Sequence, residues 1–418
     1  MNCRHCNNEL KHVFVDLVNC PPSNAMLKQE QLNEPEKYYP LKIFVCDNCY
    51  LVQVDEIAKA SDIFDGEYTY FSSFSTSWLA HAKRYVDMMM ERFSFGKDSQ
   101  IIEIASNDGY LLQYFKEYGV PVLGVDPTAN TAEVAKQKGI DTMVDFFGSD
   151  LASKHLADKG IKGDLILGNN VLAHVPDIND LVKGMKLALK DNGVVTMEFP
   201  HLLKLVEEAQ FDTIYHEHFS YLSFTTVKRI FESQGLEMFD VEEIPTHGGS
   251  LRIFAKHQDD NSKGISPNVQ NLLKKEFEAG ITSIDYYLDF QQRVDKIKYS
   301  FLEFLIEQRR KGKKIIGYGA AAKGNTLINY AGLKGNDLIQ FVVDASPYKQ
   351  NKYLPGSHIP VVSKEMIAEY KPDYVIILPW NLKEEISEQF AYIEEWGGKF
   401  VVFVPEFKIC SSKVLVLS

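Results

Sequence analysis

The order of apolar segments between residues 100 and 200 is the feature that most constrains the fold of this chain. Short apolar runs at residues 100–105, 121–125, 164–167 and 193–199 are separated by stretches with helical patterning. Strands that alternate with helices favour a parallel sheet, because each helix carries the chain back to the edge from which the next strand starts. The middle of the chain is therefore predicted to form a doubly wound α/β domain.

The C-terminal third repeats this alternation. Apolar segments at residues 314–318, 338–343, 374–377 and 400–404 are predicted to be strands of a second α/β unit. Before them, apolar residues recur at helical spacing over residues 281–307, which predicts a long connecting helix. A chain of 418 residues has room for several domains of roughly 100–200 residues. We predict three domains, at residues 1–75, 76–280 and 281–418.

Four of the six cysteines form two CxxC pairs, Cys3 with Cys6 and Cys46 with Cys49. Tetrahedral zinc prefers four soft ligands and each CxxC turn supplies two, so the spacing predicts a structural zinc site. A redox pair or a coincidental spacing is the alternative, but a redox CxxC is typical of a strand-to-helix junction in a thioredoxin-like unit. Four thiolates would leave no open position for catalysis and would fold a segment too small to fold by itself.

The charge balance argues against a general nucleic-acid binder. The formal net charge is -12 at pH 7, whereas neutralising phosphates requires clustered Lys and Arg. No apolar run approaches the ~18–20 residues of a membrane helix, and the first residues lack the pattern of a secretory signal peptide. We therefore expect a cytoplasmic protein that has neither nucleic acid nor a membrane as a partner.

The first strand of the central domain leads into a turn suited to a nucleotide. Glu103 precedes the turn, which contains Asn107 and Gly109, and Asp126 ends the next strand. Glycine lets the backbone pass close to a ligand, the following helix N-terminus offers amide donors, and the aspartate can bind both hydroxyls of a ribose. The pattern predicts an adenosine-containing ligand; a dinucleotide is one option, although the GxGxxG motif is absent.

The strand and its SNDG turn resemble the methyltransferase version of this fold, which implies S-adenosylmethionine as cofactor. A degenerate, noncatalytic version of the fold is the alternative. The downstream segment GNNVLAHVPD resembles the segment that borders adenine and the methyl-transfer pocket in such enzymes. This resemblance places Asn169 and Asn170 among the expected cofactor-binding residues.

The segment YHEHFSY, which follows the strand VVTMEFP, is dense in titratable groups. A histidine titrates near neutrality, so His216 or His218 could remove a proton from a carbon next to a ketone. Glu217 or a tyrosine such as Tyr215 could orient the base or stabilise an enolate oxygen. A metal site is less favoured, because the helical HExxH spacing is missing. A surface loop without a catalytic role is the other alternative.

Three further residues are candidates for contact with a substrate. His174 lies in the GNNVLAHVPD segment, and Tyr68 and Tyr70 lie in GEYTYFSS. A loop histidine with satisfied hydrogen bonds and tyrosines at half-buried domain contacts are the plainer explanations.

The segment GYGAAAKGN of the C-terminal domain is a second glycine-rich turn after a strand. Glycines and a helix N-terminus together favour phosphate or a second dinucleotide, and tight strand-to-helix packing is the structural alternative. Asp344 ends the next strand, where a nucleotide-binding fold holds a ribose. The segment LPWN follows another strand. The candidate substrate-binding residues here are Gly319, Lys323, Asn325, Asp344, Trp380 and Asn381.

The motifs in this order resemble the nucleotide-sugar C-methyltransferases, which methylate C-3 of nucleotide-linked 4-keto-deoxysugars. The resemblance rests on CxxC…CxxC, EIASNDG…GVDP, YHEHFSYLS, THGGSLR and GYGAAAKGNT…VDASPYKQNKYLPGSHIPV, and covers nearly the whole chain. It implies an α/β protein with a small zinc-binding N-terminal module. It also implies a central Rossmann-like class I methyltransferase domain and a C-terminal Rossmann-like domain that holds the nucleotide sugar. A monomer is implied as well.

The same resemblance implies roles for the candidate residues. His218 would remove the C-3 proton, and the enolate would accept the methyl group of S-adenosylmethionine. Tyr215, Glu217 and His174 would surround the sugar, and Tyr70 matches the N-terminal tyrosine of the family better than Tyr68. The C-terminal glycine-rich turn would bind the pyrophosphate of the substrate, which is expected to carry dTDP.

Three other functions remain open from the sequence. An O- or N-methyltransferase of a sugar or another small metabolite would need no acidic carbon. A noncatalytic scaffold would use the zinc ribbon to hold a protein partner and would not bind S-adenosylmethionine. A nucleotide-sugar oxidoreductase would place a nicotinamide at the C-terminal glycine-rich turn.

Overall fold

The computed structural model describes residues 1–55 and 71–410. These residues form two compact units. The first unit comprises Met1–His12, Val45–Leu203 and His218–Tyr286. The second unit comprises Val13–Phe44, Lys204–Glu217 and the chain from Tyr287 onward.

The strands follow the order of the chain. They are β1 (His12–Cys20), β2 (Tyr39–Val45), β3 (Val52–Val54), β4 (Ile101–Ile104), β5 (Val122–Val125), β6 (Thr142–Met143), β7 (Gly163–Asn169), β8 (Leu189–Pro200), β9 (Ser220–Tyr221), β10 (Leu236–Ile244), β11 (Ser250–His257), β12 (Ile315–Tyr318), β13 (Val342–Val343), β14 (Val361–Val362), β15 (Tyr374–Ile377), β16 (Lys399–Val402) and β17 (Lys408–Cys410).

The α-helices are separated by turns and short 3-10 segments. They are α1 (Thr76–Phe93), α2 (Leu112–Glu117), α3 (Ala129–Gln137), α4 (Ser149–Leu151), α5 (Ile178–Ala188), α6 (Leu202–Glu207), α7 (Phe224–Ser233), α8 (Pro267–Ala279), α9 (Phe290–Arg310), α10 (Ala322–Tyr330), α11 (Glu365–Tyr370) and α12 (Lys383–Gln389).

The first unit is built on a sheet in which seven of the described strands run in the order β10-β11-β8-β7-β4-β5-β6. Strands β4, β5, β6, β7 and β8 are parallel to their neighbours, whereas β11 is antiparallel to both β8 and β10. The central strand β4 is buried at every position, as a parallel strand covered on both faces must be. This sheet brings the carboxyl ends of β4, β5 and β7 to one edge, where ligands bind in folds of this kind.

Side-chain caps begin several helices of the first unit. Ser75 accepts a hydrogen bond from the Trp78 amide at the start of α1, and Asp177 accepts one from the Asp180 amide at the start of α5. Such caps satisfy amide donors that the first helical turn leaves without a partner. Strands β3 and β9 are antiparallel neighbours in this unit, with Val52 opposite Tyr221.

The second unit has its own sheet, with the order β14-β13-β12-β15-β16-β17 among the described strands. All neighbours are parallel except β16 and β17, which are antiparallel. Strands β1 and β2 are neighbours in another sheet. The ring of Phe14 in β1 stacks on Phe290 of α9 with 4.3 Å between the ring centroids, so this pair of strands is anchored to the helix by an aromatic contact.

The predicted elements agree with the structure except at their ends. The strands predicted at residues 100–105 and 374–377 correspond to β4 and β15. The prediction for the long helix was wrong at its start, because residues 284–287 form a 3-10 turn and α9 begins only at Phe290. Only the last two residues of the strand predicted at 338–343 form β13.

No helix in the described part of the chain is both long enough and apolar enough to cross a membrane.

Candidate active site and zinc centre

The sulfur atoms of Cys3, Cys6, Cys46 and Cys49 lie within 4.8 Å of one another. The sulfurs of Cys3 and Cys49 are 3.5 Å apart, as are those of Cys6 and Cys46. A disulfide needs about 2.05 Å, whereas thiolates at 2.3 Å from one tetrahedral zinc ion are about 3.8 Å from each other. The donor set and its spacing therefore fit zinc, as the sequence predicted.

Both CxxC turns have the same backbone geometry. The Asn7 amide bonds to the Cys3 carbonyl and the Tyr50 amide bonds to the Cys46 carbonyl. Asn7 and Tyr50, which directly follow the second cysteine of each pair, have φ angles of 60° and 62°. The side chain of Gln53 donates to the sulfur of Cys3 over 3.2 Å, and the Cys49 thiol lowers the pKa of Cys3, which favours a thiolate ligand.

The turn after β4 is held by Asp126 at the end of β5. One carboxylate oxygen of Asp126 accepts from the Asn107 amide over 2.8 Å, and the other accepts from the Thr128 amide over 2.9 Å. Thr131 adds a bond to the second oxygen over 3.1 Å. The Asn107 side chain accepts from the Ser72 amide over 2.9 Å. The two predicted cofactor residues Asn107 and Asp126 are thus adjacent, at the carboxyl edge of the sheet.

The glycine of this turn is required by its backbone and its packing. Gly109 has a φ of 74°, and a Cβ atom there would lie 2.5 Å from the Cδ1 of Ile140. Both observations explain why a side chain is excluded.

Glu103 is buried in β4. Burial raises its pKa well above the usual value, and the carboxylates of Asp126 and Asp108 raise it further, while the Tyr110 hydroxyl acts in the opposite direction. A carboxyl group in such surroundings is stabilised in its neutral form, in which it can donate a hydrogen bond.

The end of β7 carries the predicted residues Asn169 and Asn170. The buried side-chain nitrogen of Asn169 has no hydrogen-bonding partner among residues 1–55 and 71–410. Asn170 adopts a φ of 56°, and its side-chain nitrogen lies 2.9 Å from Nε2 of His247. Non-glycine residues in this region of backbone space are frequent at functional sites.

The first unit also brings His174 and His218 together. Their rings meet edge to face at a centroid distance of 4.5 Å. The Phe219 amide bonds to the Ala173 carbonyl over 2.7 Å, which ties the segment after His218 to the turn that carries His174. The ring of Tyr221 lies 6.2 Å from that of His218.

His216 and Glu217 belong to the second unit. His216 lies 3.2 Å, through Nε2, from the Pro40 carbonyl, and burial lowers its pKa, so a neutral ring donates to that carbonyl. Both carboxylate oxygens of Glu217 accept from the Asn24 side-chain nitrogen, over 2.7 and 2.8 Å. Burial raises the pKa of Glu217 to about 7, which suits a group that exchanges protons near neutral pH.

Three further predicted residues are the catalytic candidates Tyr215 and Tyr70 and the substrate-binding candidate Tyr68. Tyr215 is half-buried in the second unit. Tyr68 and Tyr70 lie outside the described residues.

The C-terminal glycine-rich turn has the same construction as the turn after β4. One oxygen of Asp344 accepts from the Ala320 amide over 2.7 Å, and the other accepts from the Ser346 amide over 2.8 Å. Gly319 has a φ of 89°, and a Cβ atom there would lie 2.4 Å from the ring of Pro379. Lys349 donates to the Ala320 carbonyl over 2.9 Å and so places a cation beside the turn.

Four more polar residues gather near the start of α10. Lys323 donates to the Asn381 side chain over 3.0 Å and lies 4.8 Å from the centre of the Trp380 ring. Trp380 donates to Asp212 over 2.7 Å. Burial lowers the pKa of Lys323 and raises that of Asp212 to about 6. These four residues lie together in the second unit. For Lys323, Trp380 and Asn381, positions after parallel strands predict this proximity.

Asn325, in α10, is 1% exposed, and neither its side-chain oxygen nor its nitrogen has a partner among the described residues. A buried amide without a partner is uncommon in a folded protein.

Sequence analysis did not identify Asn24 or the polar residues around Glu198 as candidates. Asn24 follows the Pro21–Pro22 pair in a segment that shows no catalytic motif. The buried Glu198 accepts from Thr246 over 2.8 Å, from Arg252 over 3.2 Å, and lies 2.8 Å from His81. The THGGSLR motif, which contains Thr246 and Arg252, was the available signal for this second group.

Three family models match successive parts of the chain. A zinc binding domain matches residues 3–64, a methyltransferase domain matches residues 78–241, and a C-methyltransferase C-terminal domain matches residues 245–405. The three-domain α/β architecture is therefore confirmed. The two expected cofactors, S-adenosylmethionine and structural zinc, are confirmed as those of these domains and of the four-cysteine cluster.

Several proteins resemble the chain. It is 33% identical to the C-methyltransferase NovU of Streptomyces niveus over 98% of this chain and 97% of that protein. It is 24% identical to the ubiquinone biosynthesis O-methyltransferase of Bartonella bacilliformis over 52% of this chain and 78% of that protein. The PH0226 protein of Pyrococcus horikoshii is 14% identical with a TM-score of 0.37, covering 45% of this chain and 95% of that chain.

The match to NovU extends over nearly the full length of both chains, and it includes the C-terminal domain, which the family model assigns to C-methyltransferases. The chain therefore belongs to the family of S-adenosylmethionine-dependent C-methyltransferases with an N-terminal zinc-binding domain.

Proposed function

We propose that the protein transfers a methyl group to C-3 of a nucleotide-linked 4-keto-6-deoxysugar, with dTDP as the expected nucleotide. The observation that carries the proposal is the pairing of His174 with His218, because it distinguishes His218 from its neighbour His216. His218 is held by β9 and by the turn that contains His174. His216 is engaged with the Pro40 carbonyl, which supports a structural role for it.

The chemistry requires an acidic carbon and a base. The ketone at C-4 makes the C-3 proton acidic enough for a histidine, provided that hydrogen-bond donors meet the enolate oxygen. His218 takes this proton, and the C–H electron pair becomes the enolate. C-3 would then form the new bond to the methyl group as the methyl–sulfur bond of the donor breaks, its electron pair going to sulfur, so that S-adenosylhomocysteine would leave. His174 supports the ring of His218 and offers a second imidazole to the sugar.

S-adenosylmethionine supplies an electrophilic methyl group when it is bound. The residues proposed to hold it are Glu103, Asn107, Gly109, Asp126, Asn169 and Asn170. The first carboxylate oxygen of Asp126 accepts from the Asn107 amide. A carboxylate oxygen has about two lone pairs, so a ribose hydroxyl can use the second.

Glu217, Tyr215 and Tyr70 complete the proposed catalytic set. The raised pKa of Glu217 supports a role in which it donates a proton or hydrogen bond to the ketone oxygen. The proposed nucleotide site consists of Gly319, Lys323, Asp344, Trp380 and Asn381, with Tyr68 as a further substrate contact. Cytoplasmic location and a monomeric state stay predictions.

Mass spectrometry in deuterated water tests the proposal. We would incubate the wild type with a dTDP-linked 4-keto-6-deoxyhexose, with and without S-adenosylmethionine, and compare His218→Asn with the exposed-residue control His155→Asn. The wild type and the control should exchange one deuterium at C-3 and add one methyl group. His218→Asn should lose both reactions.

Other outcomes would contradict the proposal in distinct ways. Methylation that survives His218→Asn without carbon exchange would indicate an oxygen or nitrogen acceptor. Exchange that survives the substitution would mean that another base acts.

A further inference from the structure

We propose that the buried amide of Asn325, with the hydroxyls of Ser357 and Ser23, forms a neutral subsite that recognises the sugar of the substrate rather than its pyrophosphate. This inference rests on the proposed function and extends it to residues of the second unit for which the sequence suggested another role or none.

The three residues share an unusual property. Asn325 is 1% exposed, Ser357 is 0% exposed and Ser23 is 3% exposed. Within residues 1–55 and 71–410, none of their side-chain oxygen or nitrogen atoms has a hydrogen-bonding partner. A folded chain normally satisfies such groups, because a buried polar group without a partner destabilises the protein.

Contacts between their segments bring the three residues into one region of the second unit. The Asn329 side chain, one turn after Asn325 in α10, donates to the Asn325 carbonyl over 2.9 Å and to the Pro355 carbonyl over 3.1 Å. A Cβ atom on Gly356 would lie 2.1 Å from Oδ1 of Asn329 and 2.9 Å from Cγ of Pro21. The loop that carries Ser357 is thus packed against both α10 and the segment that leads to Ser23.

The proposed catalytic glutamate lies beside this region. Asn24, the neighbour of Ser23, donates to both oxygens of Glu217. The charge of Lys349 acts on Glu217, and the Lys349 ammonium also donates to the Ala320 carbonyl just before α10. The Thr326 hydroxyl donates to the Ile214 carbonyl over 2.9 Å, which ties α10 to the segment that leads to Glu217.

The chemistry of the three residues favours a sugar over a phosphate. Phosphate oxygens accept hydrogen bonds but do not donate them, so a pyrophosphate could not satisfy the side-chain oxygen of Asn325. A sugar hydroxyl both donates and accepts, and a ketone accepts from the amide nitrogen. A pyrophosphate would also be repelled by the Glu217 carboxylate when that group is ionised.

Calorimetric titration of the full chain with two ligands separates the two roles. The ligands are dTDP, which has no sugar, and a dTDP-linked 4-keto-6-deoxyhexose. The variants are Asn325→Leu, Ser357→Ala and the control Asn336→Leu, which replaces an exposed amide of the same unit. The wild type and the control should bind the sugar-linked ligand more tightly than dTDP. Asn325→Leu should reduce this preference at least tenfold, with the dTDP affinity within twofold of wild type, and Ser357→Ala should reduce it about threefold.

Thermal unfolding of the ligand-free protein provides a second readout. A leucine of similar size has no polar group to bury, so Asn325→Leu should unfold at the same temperature as the wild type or above it. A clear drop in the unfolding temperature with an unchanged sugar preference would show that Asn325 is structural.

Each of the remaining outcomes would overturn the sugar subsite. Equal loss of affinity for both ligands would assign Asn325 to the nucleotide and overturn the sugar subsite. If the wild type binds neither ligand, the proposed substrate class fails and the subsite falls with it; a wild type that binds both with an unaltered preference in Asn325→Leu overturns the subsite alone.

Discussion

The imidazole rings of His174 and His218 meet edge to face, with 4.5 Å between their centroids and 78° between their planes. The two residues are separated by 44 positions in the sequence, and the Phe219–Ala173 backbone bond holds their segments together. This contact packs the ring of His218 against a second imidazole.

His174→Phe tests this contact. The substitution keeps an edge-to-face aromatic neighbour and removes both ring nitrogens, so the fold should be retained while polar contact with the sugar is lost. We expect the rate of C-3 deuterium exchange to fall at least tenfold, with an unfolding temperature within a few degrees of wild type. Unchanged exchange would mean that His174 only packs against His218.

The pKa of Glu217 predicts a dependence of stability on pH. Its folded-state pKa of about 7 is above the ordinary value of 4.5, so the protonated form is favoured in the folded state. Stability is therefore greatest below the unfolded-state pKa and is lost as the pH rises through about 7. Each pKa unit corresponds to about 1.4 kcal/mol, which gives a loss of about 3 kcal/mol from this group.

Glu217→Gln should remove this part of the pH dependence. We expect the difference in unfolding temperature between pH 5 and pH 8 to be smaller in the variant than in the wild type. Asn24→Leu should act in the opposite direction, because the Asn24 hydrogen bond lowers the pKa of Glu217. Unfolding curves of the three proteins across this pH range provide the measurement, and parallel curves would contradict the assignment.

The zinc centre predicts a stoichiometry and an effect of Gln53. The wild type should contain one zinc ion per chain by elemental analysis, and Cys46→Ser should lose it together with stability. Gln53→Leu removes the hydrogen bond from the Gln53 side chain to the Cys3 sulfur. Loss of such a supporting bond typically weakens metal binding about 10–100-fold, and we expect a loss of zinc affinity of about this size. Cys410→Ser, which changes a cysteine outside the cluster, should retain full zinc content and affinity.

Asp126 and Asp344 occupy equivalent positions in the two units, and their variants should separate two ligands. Asp126→Asn should weaken binding of S-adenosylmethionine at least tenfold, because an amide cannot accept at both ends from the turn and the ribose. Asp344→Asn should leave that affinity within twofold and weaken binding of dTDP instead. Titration calorimetry of both ligands against both variants measures these affinities. An equal loss of affinity for S-adenosylmethionine in the two variants would refute the prediction.

The elements that could be predicted depend on short spacings along the chain. The CxxC pairs, the strand that ends near Glu103 and the acidic residue after the next strand all place their groups through a few covalently linked residues. The same holds for the helix Thr76–Phe93, whose apolar period and Ser75 cap are local. The start of α9 was missed because residues 281–287 keep an apolar pattern while forming a turn.

The sequence by itself determined the α/β class and the four-cysteine cluster, because each follows from the periodicity and spacing of neighbouring residues. The residues of the YHEHFSY segment alone left His216 and His218 as alternative bases, and only the resemblance to the family selected His218. Asn24 meets Glu217 across 193 positions of the chain. The burial of Asn325 likewise depends on loops distant in sequence. Only the tertiary structure decides such contacts, because long-range packing, rather than local patterning, sets the surroundings of a side chain.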